Sequence, residues 1–227
     1  MRKMNSNTPG AIFFDLDGTL VDTIGDIASA MNRVLRELGY PGHRDAAYRD
    51  FVGYGLRITA QKALPGDARD EETVLEAGER LIRYYAEHPV DTTVAYDGIF
   101  EMLSELTARG IPRVILSNKS HDLVELVVSE VLRGFTFDLV RGAGSDYPLK
   151  PDPASAVALA ESLGIDPADI LFVGDSEVDI RTAAAAGMIP AGVTWGFRAP
   201  GVILEAGAAL MFQRPGDIVE YLNPKDT

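Results

Sequence analysis

Three short, largely apolar runs in this chain each stop abruptly at polar residues, and that shape restricts the fold more than any other feature. Ala11 to Phe14 runs into Asp15-Leu16-Asp17-Gly18, Pro112 to Leu116 into Ser117-Asn118, and Ile170 to Val173 into Gly174-Asp175. A short apolar run closed by a turn reads as a buried strand. Between the runs the apolar spacing becomes helical: Ile99, Met102, Leu103 and Leu106 before Gly110; Leu123, Leu126, Val127 and Val131; Ala156, Val157, Leu159, Ala160 and Leu163 before Gly164; and Ala183 to Ala186 before Gly187. Glycine just past the last periodic residue is a common helix terminator. Strands and helices alternating in this way predict an α/β fold, a Rossmann-like, doubly wound parallel sheet with both faces covered. Ligands bind such sheets beyond the carboxyl ends of the strands, so the polar strand ends are expected to form one site.

One interval breaks the alternation. From Thr23 to Asp91 no strand is convincing, whereas Ile24, Ile27, Ala28, Met31, Val34, Leu35 and Leu38 keep helix spacing up to Gly39, and Val74 to Tyr85 offers a second amphipathic stretch. The expected organisation is a catalytic core of residues 1–22 and 92–227 interrupted by an all-helical cap over residues 23–91. Asp22 is then expected to N-cap the first helix of the insert. Asp217 to Leu222 reads as a last short helix, followed by a loose tail from Asn223 to Thr227.

Charge and composition narrow the function. Across 227 residues the formal net charge is -13, from 21 basic and 34 acidic side chains, with no basic run dense enough to track a nucleic-acid backbone. The overall field repels an anionic ligand, so local cations or a metal have to attract it, and any Lys or Arg beside the site is informative. Cysteine is absent, which removes disulfides, thiolate metal sites and cysteine nucleophiles and fits a reducing compartment. No apolar run approaches the ~20 residues of a membrane span, and no apolar stretch of leader type follows the first residues. A cytoplasmic protein, monomer or homodimer, with neither nucleic acid nor membrane as partner, is expected.

Asp15 and Asp17 stand two apart at a strand end, so their side chains project to one side and can share one metal ion or one phosphoryl group. Around them lie Asp15-Leu16-Asp17-Gly18-Thr19-Leu20-Val21-Asp22, then Ser117-Asn118-Lys119, Lys150-Pro151, and Gly174-Asp175-Ser176 through Asp179. In these four motifs and their order the chain resembles the haloacid dehalogenase superfamily. The resemblance covers the core segments on both sides of the helical insert. It implies hydrolysis of a small organic phosphate by a magnesium-dependent phosphatase. Asp15 would attack phosphorus to form an aspartyl phosphate, while Asp17 would be general acid and then general base. Mg2+ would take the Asp15 and Asp175 carboxylates and the Asp17 backbone carbonyl. Ser117, Asn118 and Lys150 would hold the phosphate, Gly18 would permit close backbone approach, Thr19 would orient Asp17, and Asp179 would brace Lys150 or bind a metal-bound water.

Within the insert, Phe51-Val52-Gly53-Tyr54-Gly55-Leu56-Arg57 is similar to the substrate loop of phosphoglycolate-phosphatase-like members, which implies that Gly53 and Gly55 shape a turn and Arg57 pairs with a substrate carboxylate. Tyr96-Asp97-Gly98 departs from many of these relatives, which carry proline where Asp97 stands. His43, His88 and His121 show no ligand spacing and read as structural or surface residues, with His121 nearest the phosphate loop; Trp195 reads as packing near the last strand.

Other chemistries fit the same aspartates. A pyrophosphatase or a hexose-phosphate mutase would use the same pair and differ in products, and a phosphonate-cleaving relative would need Lys62, the lone lysine of the insert, as a Schiff base. A true dehalogenase would need neither Asp17 nor Asp175. From a different class, a phospho-acceptor signalling module also phosphorylates an aspartate at a strand end, but has no helical cap and no acid two residues further on.

Overall fold

A computed structural model of the chain describes residues 8–144 and 146–223. The expected tail beyond residue 223 lies outside the described residues. The first apolar run is strand β1 (Ala11–Phe14), and all four of its side chains are fully buried. It lies inside a six-stranded parallel sheet of order β5 (Leu139–Ala143), β4 (Arg113–Ser120), β1, β6 (Ile170–Gly174), β7 (Ile189–Val193) and β8 (Leu210–Phe212). Continuous apolarity is what a parallel strand needs when both of its faces are covered.

The two faces separate by residue parity. Ile12 and Phe14 join the layer formed by α5 (Ile99–Ala108), α6 (His121–Val131) and α10 (Pro215–Tyr221), the last of these being the short helix expected near the end of the chain. Ala11 and Phe13 join the opposite layer, with α7 (Ala154–Leu163) and α8 (Glu177–Ala185). Each fully buried large apolar side chain contributes roughly 1.5–3 kcal/mol relative to exposure. A further short helix, α9 (Pro200–Glu205), connects β7 to β8. Helix α7 ends where expected, at Gly164 with φ 67°, a left-handed conformation costly for any residue with a β-carbon. After β1 the sheet grows to one side through β4 and β5, then reverses to the other side through β6, β7 and β8. That reversal places the switch point of the winding beside the carboxyl end of β1.

Residues 23–91 carry four α-helices: α1 (Ile24–Glu37), α2 (Asp45–Phe51), α3 (Leu56–Ala63) and α4 (Glu71–Glu87). They enclose a hydrophobic core of their own, in which Met31, Leu35, Tyr48, Leu81 and Tyr85 are fully buried. At the base of this insert, β2 (Val21–Asp22) and β3 (Val94–Ala95) pair antiparallel, a ribbon too short to leave a periodic trace in the sequence. The cap position of α1 falls on Thr23, not Asp22 as expected. Asp22 still serves the helix start, because its carboxylate accepts the Ile24 N–H at 3.1 Å.

A single side chain ties the insert's entry to its exit. The buried Asp26 carboxylate in the first turn of α1 accepts Thr92 N–H at 2.9 Å, Thr92 Oγ1 at 2.6 Å, Thr93 N–H at 2.9 Å and Thr93 Oγ1 at 2.7 Å. Removing the acceptor strands four donors around a partly dry site, and donors to a charged group are the costlier ones to strand. Asp26→Ala is expected to lower the free energy of unfolding by about 3 kcal/mol, read as a drop in urea midpoint with an unchanged slope.

Candidate active site

The four motifs converge beyond the carboxyl ends of β1, β4 and β6. Asp15 follows β1 directly and donates its N–H to Val173 O of β6 at 2.9 Å. Gly18 then turns the chain at φ 86°, and a β-carbon at that position would strike the Asp175 carboxylate and the Phe197 ring. The expected close approach is therefore real, and what approaches is a carboxylate from the end of the neighbouring strand. Gly196 meets Asp175 from the other side under the same constraint.

Lys150 organises the acids. Its buried ammonium lies 2.8 Å from Asp15 Oδ1 and 2.6 Å from Asp179 Oδ1, and donates to Leu116 O at 2.9 Å. Asp179 Oδ2 accepts the N–H and hydroxyl of Ser176 at 3.1 and 2.6 Å, so both of its oxygens are engaged and it braces Lys150. Asp175 Oδ2 accepts Phe197 N–H at 2.7 Å. One oxygen from each of Asp15, Asp175 and Asp179 lies within 4.8 Å of the others.

Three buried carboxylates against one ammonium leave an excess of negative charge, which favours the protonated carboxyls. Burial, then the Asp179 charge, pushes the Asp15 carboxyl up to about 7 in spite of Lys150. Burial, then Asp179 and Asp15, holds Asp175 well above the ordinary carboxylate range. Lys150 goes the other way from what burial alone dictates, its pKa raised by Asp15 and Asp179, so the ammonium stays charged. Hard oxygen donors with uncompensated charge in a small buried volume are what a divalent cation requires. Asp15 and Asp175 fit that need. The Asp17 side chain is turned elsewhere, which leaves its backbone as the part available to a metal.

Asp17 Oδ1 accepts Lys119 Nζ at 2.5 Å and Thr23 Oγ1 at 2.8 Å. The orienting hydroxyl is thus Thr23, not Thr19 as expected. Thr19 Oγ1 is buried without a hydrogen-bond partner, and only the Thr19 carbonyl is used, by Trp195 Nε1 at 3.0 Å. The physical reason is the turn at Gly18, which folds Thr19 into the interior while the chain comes back alongside Asp17 at Thr23. Lys119 is wholly buried, which alone would lower its pKa, but the Asp17 charge and the Tyr85 hydroxyl raise it instead.

Ser117 lines the cavity, its hydroxyl accepting Lys119 N–H at 3.2 Å. Asn118 serves differently from the expectation. Its side-chain N–H groups go to Gly53 O at 3.0 Å and Lys150 O at 2.9 Å, and its Oδ1 accepts Lys150 N–H at 2.8 Å. In this structure the amide clamps the Lys150 loop to β4 and reaches the insert, so the donation to phosphate expected of it is not available from its side chain.

The insert closes the site from above. Ile27, Val52, Gly53, Gly55, Leu56 and Thr59 line the same cavity as Asp15, Asp17, Lys119, Lys150 and Asp175. Gly53 and Gly55 are where the sequence placed them, with φ 115° and 86°. Arg57 is not. It is exposed, outside the cavity lining, with its stem against Gly78 of α4. One residue beyond Leu56, a helix has rotated by more than a quarter turn, enough to carry the side chain from the cavity to the outer surface. Lys62 donates to Asp50 O at 3.0 Å and also lies outside the lining, which removes it as a Schiff-base lysine here.

Arg198, which no spacing in the sequence announced, joins insert to core. Its Nε lies 3.2 Å from Glu177 Oε2, its Nη2 donates to Val52 O at 2.6 Å, and its Nη1 donates to Arg49 O. Tyr54 completes the seam with a hydrogen bond to Glu177 Oε1 at 3.0 Å. His121 stays outside the cavity: its Nδ1 accepts Gly142 N–H at 3.3 Å and its Nε2 lies 3.5 Å from Glu125. His43 contacts Ala63 O inside the insert and His88 pairs with Asp91 at the surface, consistent with structural roles.

The chain matches the family of haloacid dehalogenase-like hydrolases over residues 12–193. It is 35% identical over 193 residues to the phosphoglycolate phosphatase of Pseudomonas putida, an alignment covering 83% of this chain and 71% of the other. It is 32% identical over 213 residues to the phosphoglycolate phosphatase of Aquifex aeolicus, with 93% and 96% covered. Among solved structures, a haloacid dehalogenase-like family hydrolase from Streptococcus pneumoniae superposes with a TM-score of 0.86 at 24% identity, over 96% of this chain and 99% of that one. No helix among the described residues is long and apolar enough to cross a membrane. The chain belongs to the haloacid dehalogenase-like hydrolase family.

Proposed function

We propose that the protein is a magnesium-dependent phosphatase that hydrolyses a small acidic phosphomonoester, 2-phosphoglycolate or a close analogue, through a phosphorylated Asp15. The observation that carries this reading is the bridge of Lys150 between Asp15 and Asp179 directly beside Asp175. An attacking carboxylate, a fixed cation and a second carboxylate around one small volume suit phosphoryl transfer, which depends mainly on positioning and charge neutralisation. The phosphoglycolate phosphatases to which the chain is similar support the choice of leaving group.

Each side chain then has one task. Lys150 holds the Asp15 oxygen in place and faces the phosphoryl oxygens with a point charge. Asp15 bonds to phosphorus as the ester oxygen departs. Asp17, held by Thr23 and Lys119, delivers a proton to that oxygen and later takes one from the attacking water. The Ser117 hydroxyl donates to the phosphoryl group. Asp15, Asp175 and the Asp17 carbonyl would hold Mg2+, whose bound charge offsets that of the carboxylates and the phosphate. The insert, resting on the core through Tyr54, Glu177, Asn118 and Arg198, keeps bulk water out.

Release of inorganic phosphate from a panel of phosphate monoesters, sugar phosphates and pyrophosphate is expected to be fastest with a small acid ester, to cease in EDTA, and to return with Mg2+. Transfer of phosphate within a sugar, with none released, would identify a mutase instead. Asp17→Asn is expected to lower kcat by about 10^2 to 10^4-fold while Mg2+ still binds, as followed by metal-dependent thermal stabilisation. Near-normal turnover in that variant would remove Asp17 from its acid role.

A further inference from the structure

The phosphatase reading leaves open what recognises the acidic part of the leaving group, since Arg57 lies outside the cavity. Among the described residues three basic side chains line that cavity: Lys119, Lys150 and Arg198. An ammonium has three N–H donors. Those of Lys150 have three partners, Asp15, Asp179 and Leu116 O. Arg198 uses three of its five N–H donors on Glu177 and on the carbonyls of Arg49 and Val52, which ties it to the seam between insert and core. Lys119 has two partners, Asp17 Oδ1 at 2.5 Å and Tyr85 Oη at 2.7 Å, and its third donor remains for the cavity that it lines.

The position is as informative as the count. Lys150 stands beside Asp15, on the side of phosphorus. Lys119 stands beside Asp17, the group assigned to the ester oxygen, and so on the side of the leaving group. In a 2-phospho acid the carboxylate carbon is only two bonds from that oxygen, so an ester oxygen held against Asp17 brings the carboxylate to Lys119. The surrounding lining of Ile27, Val52, Leu56 and Phe197 is apolar, which strengthens a charge-to-charge contact and penalises an uncharged group that leaves the ammonium unanswered.

We infer that Lys119 is the specificity-determining cation of this enzyme, receiving the leaving group's carboxylate on its free N–H while Tyr85, from α4 of the insert, holds the ammonium in place. This inference rests on the proposed phosphatase reaction and deepens it. The core supplies the charge and the insert aims it. Selection for an acid therefore runs through a core lysine just past Asn118, with no arginine of the insert involved.

The test compares 2-phosphoglycolate with ethyl phosphate, which has the same phosphate on a chain of equal length but no carboxylate, in the full-length protein with Mg2+. In Lys119→Met the kcat/KM for 2-phosphoglycolate is expected to fall about 30-fold further than that for ethyl phosphate, with Lys119→Arg restoring much of the preference. Glycolate is expected to compete with substrate in the wild type and to lose that competition in Lys119→Met. Tyr85→Phe keeps the charge and is expected to lower kcat/KM for 2-phosphoglycolate about 5-fold further than that for ethyl phosphate; it decides the matter if Lys119→Met does not fold. Equal losses on both esters, with glycolate still competing, would show that Lys119 serves Asp17 alone and would overturn the inference while leaving the phosphatase standing. A wild type that releases phosphate from neither ester would defeat both.

Discussion

The site depends on one buried ammonium. Lys150 lies between Asp15 and Asp179, with a backbone carbonyl taking its third proton. Without it three carboxylates would face one another in a dry pocket, and removing one partner of a buried ion pair typically costs about 3–5 kcal/mol. The arrangement is only partly balanced even so. Asp15 and Asp175 both hold their protons more tightly than free carboxylates do, because of burial first and the neighbouring Asp179 charge second, and at Asp15 these outweigh Lys150. A site in that condition attracts a cation, and the sheet makes it possible. Asp15 and Asp175 end adjacent parallel strands, while Lys150 and Asp179 come from the segments that follow β5 and β6. Residues far apart in the chain meet because the winding reverses beside β1.

The insert does more than cover this centre. It enters at Thr23, whose hydroxyl binds Asp17, and is clasped at its exit by Asp26 on Thr92 and Thr93. From α4 it sends Tyr85 to Lys119, and from the loop before α3 it offers the Gly53 carbonyl to Asn118. Two of these contacts reach Asp17 or its partner. The acid is thus positioned by both parts of the chain, and a shift of the insert changes its surroundings as well as the access of water. The glycines at 53 and 55 suit that arrangement, because the loop turns there at φ 115° and 86°, a backbone conformation that residues with a β-carbon rarely adopt.

How much of this was legible in the sequence follows from burial and rotation. Strands β1, β4 and β6 were readable because they lie in the middle of the sheet, covered on both faces, and their residues form apolar runs that break where function begins. Strand β5 escaped notice: it lies at the sheet edge, is half-buried throughout and carries Arg141 and Gly142. Strands β7 and β8 are short and mixed, and β2 and β3 have two residues each. The strand-end acids and Lys150 were found because a strand end leaves a side chain little choice of direction. Arg57 and Thr19 were misplaced because position in a sequence does not give the rotation of a helix or the inside of a turn. Arg198 and Tyr85 left no signal, since each acts by meeting residues more than twenty positions away.

The same contrast separates reaction from substrate. Around Lys150 every ammonium donor is occupied, by two buried carboxylates and a backbone carbonyl, so that half of the site has little freedom to vary. Around Lys119 the partners are the Asp17 carboxylate, a tyrosine hydroxyl from α4 and a stretch of apolar lining. Under the proposed reaction, changing a residue there would alter which alcohol fits and leave Asp15, Lys150 and Asp175 untouched. The chemistry is held by the sheet, whose strands are fixed by full burial on both faces. In the proposed reaction, discrimination falls to the contact between that sheet and the helical insert.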